Sequence, residues 1–426
     1  MPTLSDMLVS SKMWRLAILT ALNRFVMALR LVALPLFVLF IGSDEAFYGL
    51  LVAGAGYAEA IFLFPSGTVS DKKGRGTATL LGGVITGSTF FVLPFVDEPA
   101  LLLLAYCITG IGDGFMVTSV EALIADHSRS DVERTKSYGF TITIATLAAT
   151  VGPFVGGYLL SQTASPWISP AELRYIVVFF MMGGARFAAG LLGFHTERWL
   201  IRNEVRQPVP PEQFEPAVIH TSRADSRTAL LFGMSQLIMG IASGMVVPYL
   251  IPWINARFGP DELLLGSVPA VANLTLASGT LLVGLVSERV GKIRTMVTLY
   301  LVTPILAYGL VTSLGFVLMA AFYVIREAVA NMAKPATSSL FMGEVSRSRR
   351  GRLWAVTTIM WTIPRQTGTL LASLILGAAI FPSIVEFGVV VFPLAMCLYP
   401  LSAIPMYVAV RMNRKEASNR AEDSQG

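Results

Sequence analysis

The chain has 426 residues, of which 54% are hydrophobic and 14% are charged. Soluble domains carry about 25% charged residues, so this composition argues against a soluble globular protein. The net charge of +5 accompanies no nucleic-acid-binding motif, and the sequence has neither a phosphate-binding loop nor histidines at metal-ligand spacing. We therefore expect no nucleic-acid partner, no enzymatic activity, no cofactor and no bound metal.

Apolar runs longer than 18 residues recur along the whole chain, and runs of this length predict membrane spans. A span in lipid must satisfy its own backbone hydrogen bonds, so the spans are predicted to be α-helices. Twelve are predicted, at residues 16–40, 47–66, 77–96, 100–123, 137–160, 173–194, 229–253, 262–286, 296–312, 316–340, 353–379 and 385–410.

The order of spans and polar segments predicts two halves. Residues 1–194 should form an N-terminal six-helix bundle, and residues 229–411 a C-terminal one. The proline-containing polar stretch 195–228 predicts a cytoplasmic linker. The polar composition of residues 412–426 predicts a disordered cytoplasmic tail.

Lysine and arginine are distributed unevenly between the predicted loops. Apart from six residues well inside the spans, every lysine and arginine except Arg174 and Arg257 falls in loops on one side of the predicted bundle, and those two lie at its other edge. Loops rich in lysine and arginine face the cytoplasm. We therefore expect a monomeric multi-pass protein of the cell membrane, embedded in the lipid bilayer, with both termini in the cytoplasm.

A short polar motif occurs twice, first between the second and third spans and again between the eighth and ninth. Two copies half a chain apart indicate an internal duplication, which is common among secondary transporters. The copies share the same internal spacing and consist of Gly67, Asp71, Gly74 and Arg75 in the first half and Gly284, Glu288, Gly291 and Lys292 in the second.

The segment 67–75 resembles the signature loop between helices 2 and 3 of the major facilitator superfamily, and 284–292 resembles its weaker copy. The resemblance covers nearly the whole chain and implies the twelve-helix fold of that family, with two pseudo-symmetric bundles and alternating access. It also implies that Asp71 latches the outward-facing state, with the other motif residues supporting the latch. From the residues alone, a tight turn with cytoplasmic positive charge is the alternative.

The fifth span carries a second motif, formed by Gly152, Pro153, Gly156 and Gly157. It resembles the Gly-Pro signature of proton-coupled exporters in the superfamily. Proline removes a backbone hydrogen bond and glycines allow close helix contact, so we expect a bend at an interface. In the fourth span, Tyr106 stands where the family's helix-4 signature has an arginine.

Charged and polar groups inside the spans are the candidates for substrate binding and coupling. A charge in lipid costs about 2.5–3.5 kcal/mol on insertion scales, so it normally faces a cavity or a partner. The family resemblance places the first, fourth, seventh and tenth spans around the central cavity. The candidates there are Arg24, Arg30, Asp113, Gln236, Arg326, Glu327 and Asn331.

Among these candidates, Asp113 and Glu327 are the groups that could exchange a proton during the transport cycle. A static Arg30–Asp113 ion pair that joins the first and fourth spans is the alternative. Because neighbouring helix positions are about 100° apart, Arg326 and Glu327 are expected to point in different directions.

Three further intramembrane charges have structural explanations. Arg186 lies among glycines on a span that is peripheral in the family, so close packing with a snorkelling side chain is expected. Glu59 and Arg365 lie at similar depth, and we expect an ion pair between the halves, with simple packing roles as the alternative.

Together these features predict a secondary transporter of a small organic solute, working as a proton-coupled exporter. The excess of arginine in the spans supports an alternative, an organic-anion exchanger or uptake carrier without net proton coupling. A non-transporting membrane receptor is a more distant alternative, and the two copies of the signature motif argue against it.

Overall fold

A computed structural model describes residues 11–126, 131–203, 223–345 and 350–423. The described residues form α-helices and one short 3-10 segment, Leu93–Phe95, without any β-strand. In chain order the helices are α1 Ser11–Phe40, α2 Glu45–Lys73, α3 Arg75–Val92, α4 Pro99–Asp126, α5 Asp131–Leu160, α6 Ala171–Asn203, α7 Arg223–Val246, α8 Leu250–Phe258, α9 Glu262–Val290, α10 Lys292–Thr312, α11 Phe316–Glu344, α12 Arg350–Gly377, α13 Ile384–Met396 and α14 Leu398–Asp423.

Most of these helices have the length and composition of membrane spans. Within the described residues, ten helical stretches are long and apolar enough to cross a membrane, and a shorter apolar one covers Glu262–Leu276. The predicted all-α membrane architecture is therefore confirmed.

The chain separates into two compact units. Unit 1 comprises Met1–Val209 together with Ile254–Leu274, and unit 2 comprises Pro210–Trp253 together with Thr275–Gly426. In unit 1, α1 packs on α5, α2 on α4, and α3 on both α4 and α6. In unit 2, α7 packs on α12 and α14, and α10 packs on α11. The predicted domain boundaries stay a prediction.

Two predicted spans are interrupted in the structure. The seventh span breaks between α7 and α8, at Val247, Pro248 and Tyr249. Proline has no N–H to donate, so the helical ladder stops and restarts there. The twelfth span breaks at Cys397, between α13 and α14.

The C-terminal segment also differs from the prediction. The expected disordered tail at 412–426 is wrong for most of its length, because α14 continues to Asp423. Polar composition alone did not indicate this helix, which begins in an apolar span and extends beyond it.

Both copies of the repeated motif end a helix at a glycine with a positive φ angle. Gly74 separates α2 from α3 with a φ of +101°, and Gly291 separates α9 from α10 with a φ of +97°. Only glycine adopts this backbone region without strain. In each copy, the glycine seven residues after the first motif glycine therefore sets the turn between consecutive helices.

Close helix contacts explain part of the chain's glycine usage. A methyl group at Gly110 of α4 would clash with the backbone oxygen of Ala55 in α2. A methyl group at Gly244 of α7 would clash with the backbone oxygen of Arg365 in α12. Helices associate in lipid through such close approaches, because burial of apolar surface gives no advantage there.

Candidate functional site

A buried charge cluster ties three helices of unit 1 together. Asp113 of α4 accepts from Arg30 of α1 at 2.8 Å and from Arg186 of α6 at 2.7 Å, through different carboxylate oxygens. Arg186 also donates to the side-chain oxygen of Asn23 in α1. The guanidinium of Arg30 lies 5.8 Å from the ring centre of Tyr106 in α4. We call Asn23, Arg30, Asp113 and Arg186 the unit 1 cluster.

Burial makes the unit 1 cluster costly to break. The exposed fractions of the Asp113 and Arg186 side chains are 4% and 1%, whereas that of Arg30 is 19%. Removing one partner of a buried ion pair typically costs about 3–5 kcal/mol, because the other charge stays uncompensated. The cluster therefore holds α1, α4 and α6 together, and Arg30 is its most accessible member.

The prediction for Arg186 is wrong. Its guanidinium does not snorkel toward a membrane surface but is directed into unit 1, where it meets Asp113 and Asn23. A buried carboxylate on the fourth span was the available signal, because such a group needs more than one donor to satisfy its oxygens.

A second cluster lies on α11 in unit 2. Arg326 pairs with Glu327, and Asn331 donates to the other carboxylate oxygen of Glu327 at 2.8 Å. The guanidinium of Arg326 also lies 5.6 Å from the ring centre of Tyr323. The side chain of Arg326 is 1% exposed and that of Glu327 is 22% exposed. We call Arg326, Glu327 and Asn331 the unit 2 cluster.

The expectation that Arg326 and Glu327 point in different directions is wrong. Their Cα–Cβ bonds do diverge on the helix, but both side chains are long enough to curve toward each other and form an ion pair. The pair leaves Glu327 partly accessible and Arg326 buried.

The remaining candidates in the spans are dispersed. Arg24 is exposed on α1 and Gln236 is half-buried on α7, where it lines a cavity within unit 2. Glu59 of α2 and Arg365 of α12 are both half-buried. The proposed ion pair between Glu59 and Arg365 stays a prediction.

The first copy of the repeated motif is organised by a residue that sequence reasoning missed. Glu197 of α6 accepts from the backbone N–H of Arg75 at 2.6 Å and from that of Gly76 at 2.8 Å. A carboxylate at this position satisfies unpaired N–H groups at the start of α3 and matches the positive end of the helix dipole. Arg75 also pairs with Asp71.

Gly76, which follows the motif, lies in close contact with α6. A methyl group there would lie 2.8 Å from the backbone oxygen of Gly193 and 2.9 Å from Cβ of Glu197. Any side chain at 76 would therefore push α6 away and break the Glu197 cap. Gly67, by contrast, would meet nothing within 4 Å among the described residues if it carried a methyl group.

The latch role of Asp71, Gly74 and Arg75 stays a prediction. The second copy shows only its backbone, with the positive φ of Gly291 described above. The side chains of Glu288 and Lys292, and the surroundings of Gly284, lie outside the part of the chain that the structure describes.

The Gly-Pro motif of α5 lies at two helix contacts within unit 1. A methyl group at Gly152 would lie 2.7 Å from the backbone oxygen of Phe25, and one at Gly156 would lie 2.6 Å from Cδ1 of Leu29. A methyl group at Gly157 would clash with the backbone of Glu262 at the start of α9. The expected close contacts are present on both faces of α5.

Pro153 leaves one backbone carbonyl of α5 without its helical donor. That carbonyl belongs to Ala149, four residues earlier, and it accepts from the side-chain amide of Asn273 in α9 at 2.9 Å. Asn273 therefore supplies the hydrogen bond that the proline removed. Asn273 was not among the predicted site residues, since nothing in its local sequence connects it to the fifth span.

The same two segments meet again beyond the end of α5. Asp261 accepts from Ser161 at 2.9 Å, from Thr163 at 2.5 Å, and from the backbone N–H of Leu263 at 2.8 Å. Burial raises the pKa of the Asp261 carboxyl, but these three hydrogen bonds outweigh it and hold the pKa below the ordinary value of 3.8. Hydrogen bonds thus join residues 149–163 to residues 261–273 at both ends of the two segments.

Comparison with known proteins identifies the family. A family model described as the Major Facilitator Superfamily matches residues 16–369. The chain belongs to the major facilitator superfamily. It is accordingly a multi-pass membrane protein of that superfamily.

Two curated relatives are efflux proteins by name. The chain is 27% identical over 161 residues to the quinolone resistance protein NorA of Staphylococcus aureus, covering 38% of this chain and 37% of NorA. It is 27% identical over 273 residues to the multi-drug resistance efflux pump PmrA of Streptococcus pneumoniae, covering 62% of this chain and 64% of PmrA. The matched region thus spans well under half of NorA and slightly less than two thirds of PmrA.

Solved structures confirm the fold. A bacterial homolog of the human lysosomal transporter Spinster, in an inward-facing and occupied conformation, has a TM-score of 0.73 at 15% identity and covers 94% of this chain and 96% of its own. A D-xylose-proton symporter has a TM-score of 0.71 at 13% identity, with 92% and 96% coverage. The predicted superfamily fold is therefore confirmed.

Proposed function

We propose that the chain exports small organic solutes across the cell membrane by alternating access and couples export to proton entry. The names of NorA and PmrA support export, as does the close packing of the Gly-Pro motif in α5. The distribution of lysine and arginine supports a protein with both termini in the cytoplasm. We propose that it acts as a monomer.

The observation that carries proton coupling is the partial exposure of Glu327. A coupling carboxylate must exchange a proton with water in every cycle. The Glu327 side chain is 22% exposed, whereas that of Asp113 is 4% exposed and meets guanidinium groups at both oxygens. We therefore assign proton exchange to Glu327 and a structural role to Asp113.

The partners of Glu327 suggest how the coupling works. Ionised Glu327 holds Arg326 and Asn331 in the unit 2 cluster. Protonation would release the buried guanidinium of Arg326, whose charge costs free energy without a partner. Proton binding would therefore destabilise this conformation relative to one in which Arg326 has another partner.

A second candidate function remains, because the unit 1 cluster offers two guanidinium groups to one carboxylate. Arginine binds carboxylate and sulfonate groups through two parallel hydrogen bonds. Arg30, at 19% side-chain exposure, is the accessible member that an organic anion would meet. An organic-anion exchanger without proton coupling would use this site.

Inside-out membrane vesicles with an acidified interior distinguish the two functions. We expect that ethidium, a lipophilic cation, discharges the pH gradient in vesicles that contain the protein, and that benzenesulfonate does not. Glu327→Gln should abolish this discharge, whereas Glu386→Gln, an exposed residue at the start of α13, should preserve it.

Proton coupling through Glu327 would be contradicted by full discharge in the Glu327→Gln vesicles. Benzenesulfonate uptake without any discharge, lost in Arg30→Ala, would favour the anion exchanger instead.

A further inference from the structure

Unit 2 contains a cavity of about 220 Å³ that the charge clusters do not account for. Three helices supply much of its lining: α7 contributes Gln236 and Met239, α10 contributes Tyr300, and α12 contributes Thr357 and Trp361. Met239, Tyr300 and Thr357 are buried, so the cavity extends into the interior of the unit.

Among the residues that the structure describes, the lining is polar and aromatic but uncharged. Thr337 and Ser338 of α11 and Thr358 of α12 complete it, so the groups present are hydroxyls, one amide, one thioether and two aromatic rings. None of these side chains carries a charge at neutral pH. A charged ligand would lose its hydration there without gaining an opposite charge from the described side chains, so these side chains favour uncharged groups.

Two buried hydroxyls in the cavity are weakly engaged with each other. Tyr300 Oη and Thr337 Oγ1 lie 3.4 Å apart, beyond the usual 2.7–2.8 Å for hydroxyl pairs. Both residues are nearly inaccessible, at 1% and 2% exposure. A ligand hydroxyl or amide that lies beside this pair would hydrogen-bond either oxygen at the usual distance.

The volume limits the size of the ligand. A protein cavity of about 150 Å³ is sufficient for benzene, so this one has room for one or two fused rings. Trp361 and Tyr300 offer ring faces and edges to such a group. We propose that this cavity binds an uncharged aromatic group of one or two rings that carries a hydroxyl or amide substituent.

This inference rests on the proposed function in one respect: we take the aromatic group to be part of the transported solute. The cavity would then bind the uncharged ring system of the solute, at a place in unit 2 separate from the unit 2 cluster on α11. Solutes that share only such a ring system would be accepted despite different charges elsewhere.

The experiment measures binding of 2-naphthol to the purified full-length protein by calorimetry, with protein-free detergent micelles as the blank. Thr357→Leu adds bulk to the cavity lining, and we expect at least about tenfold weaker binding. Thr362→Leu, on the same helix but outside the lining, should bind as the unmodified chain does.

A second variant tests the same site with a substitution that does not disturb the packing. Thr337→Val keeps the shape of the side chain and removes its hydroxyl, so binding of 2-naphthol should weaken about fivefold while binding of naphthalene stays unchanged. Absence of binding by the unmodified chain, or equal affinity in the Thr357→Leu and Thr362→Leu variants, would overturn the proposal. The assay uses no proton gradient, so loss of coupling in the vesicle experiment would leave this result intact.

Discussion

The hydrogen bond between Asn273 and Ala149 yields a prediction that can be worked from the structure. Asn273→Ala leaves the Ala149 carbonyl inside the bundle without a donor, because Pro153 cannot supply one. Interhelical hydrogen bonds in membrane proteins contribute about 0.6 kcal/mol on average, and an unsatisfied buried acceptor costs about 1–3 kcal/mol. We therefore expect Asn273→Ala to lower the free energy of unfolding by about 1 kcal/mol.

The same reasoning predicts that the effect depends on the proline. In a Pro153→Ala chain, the new N–H at position 153 can donate to Ala149, and Asn273 is no longer needed there. Asn273→Ala should then change the free energy of unfolding very little. The predicted coupling between the two substitutions is about 1 kcal/mol, which a double-mutant cycle resolves.

Equilibrium unfolding in mixed micelles measures the four chains of this cycle. Ser267→Ala is the matched control, because Ser267 lies on the same helix and its hydroxyl donates to the backbone oxygen of Leu264 within α9. Its effect should add to that of Pro153→Ala. Additive effects of Asn273→Ala and Pro153→Ala would refute the claim that Asn273 replaces the donor that the proline removed.

Two further predictions concern carboxylates at the ends of the helices. Glu197→Ala removes the cap of α3 and should lower the free energy of unfolding by about 1–2 kcal/mol in thermal or denaturant unfolding. Arg202→Ala is the control, because Arg202 is exposed on the same helix as Glu197, and it should change the free energy of unfolding little. Equal effects of the two substitutions would contradict the capping role. For Asp261, whose folded-state pKa lies below 3.8, the ionised carboxylate stabilises the protein above that pH, and the stabilisation is lost as pH falls through the folded-state pKa. Between pH 6 and pH 3, the free energy of unfolding of the unmodified chain should exceed that of Asp261→Asn by an amount that shrinks on acidification. A difference that stays constant with pH would contradict this role of Asp261.

The sequence predicted most of the membrane helices of this fold because lipid imposes strict rules. Long apolar runs had to be helices, and the duplicated motif placed two equivalent turns at Gly74 and Gly291. The breaks near Pro248 and Cys397 were missed, because hydropathy does not distinguish one long span from two shorter helices in line.

The candidate site was predicted less completely, since its contacts join residues far apart in the chain. Arg30 and Asp113 were recognised by their cost in lipid, and the structure brings them together. Arg186 was assigned to the periphery because it lies among glycines on a span that is peripheral in the family, whereas its partner Asp113 is 73 residues away on another helix. Glu197 and Asn273 escaped notice for the same reason: the groups they satisfy are backbone atoms of other helices, which a single sequence does not reveal.

The central claim is that Glu327 couples solute movement to protons without being needed for solute binding. Ethidium exchange across proteoliposome membranes at equal pH on both sides tests it most directly, because exchange requires binding and alternating access but no net proton transfer. We predict that Glu327→Gln retains exchange while losing export driven by a pH gradient. Loss of both activities, or survival of both, would contradict the assignment of coupling to Glu327.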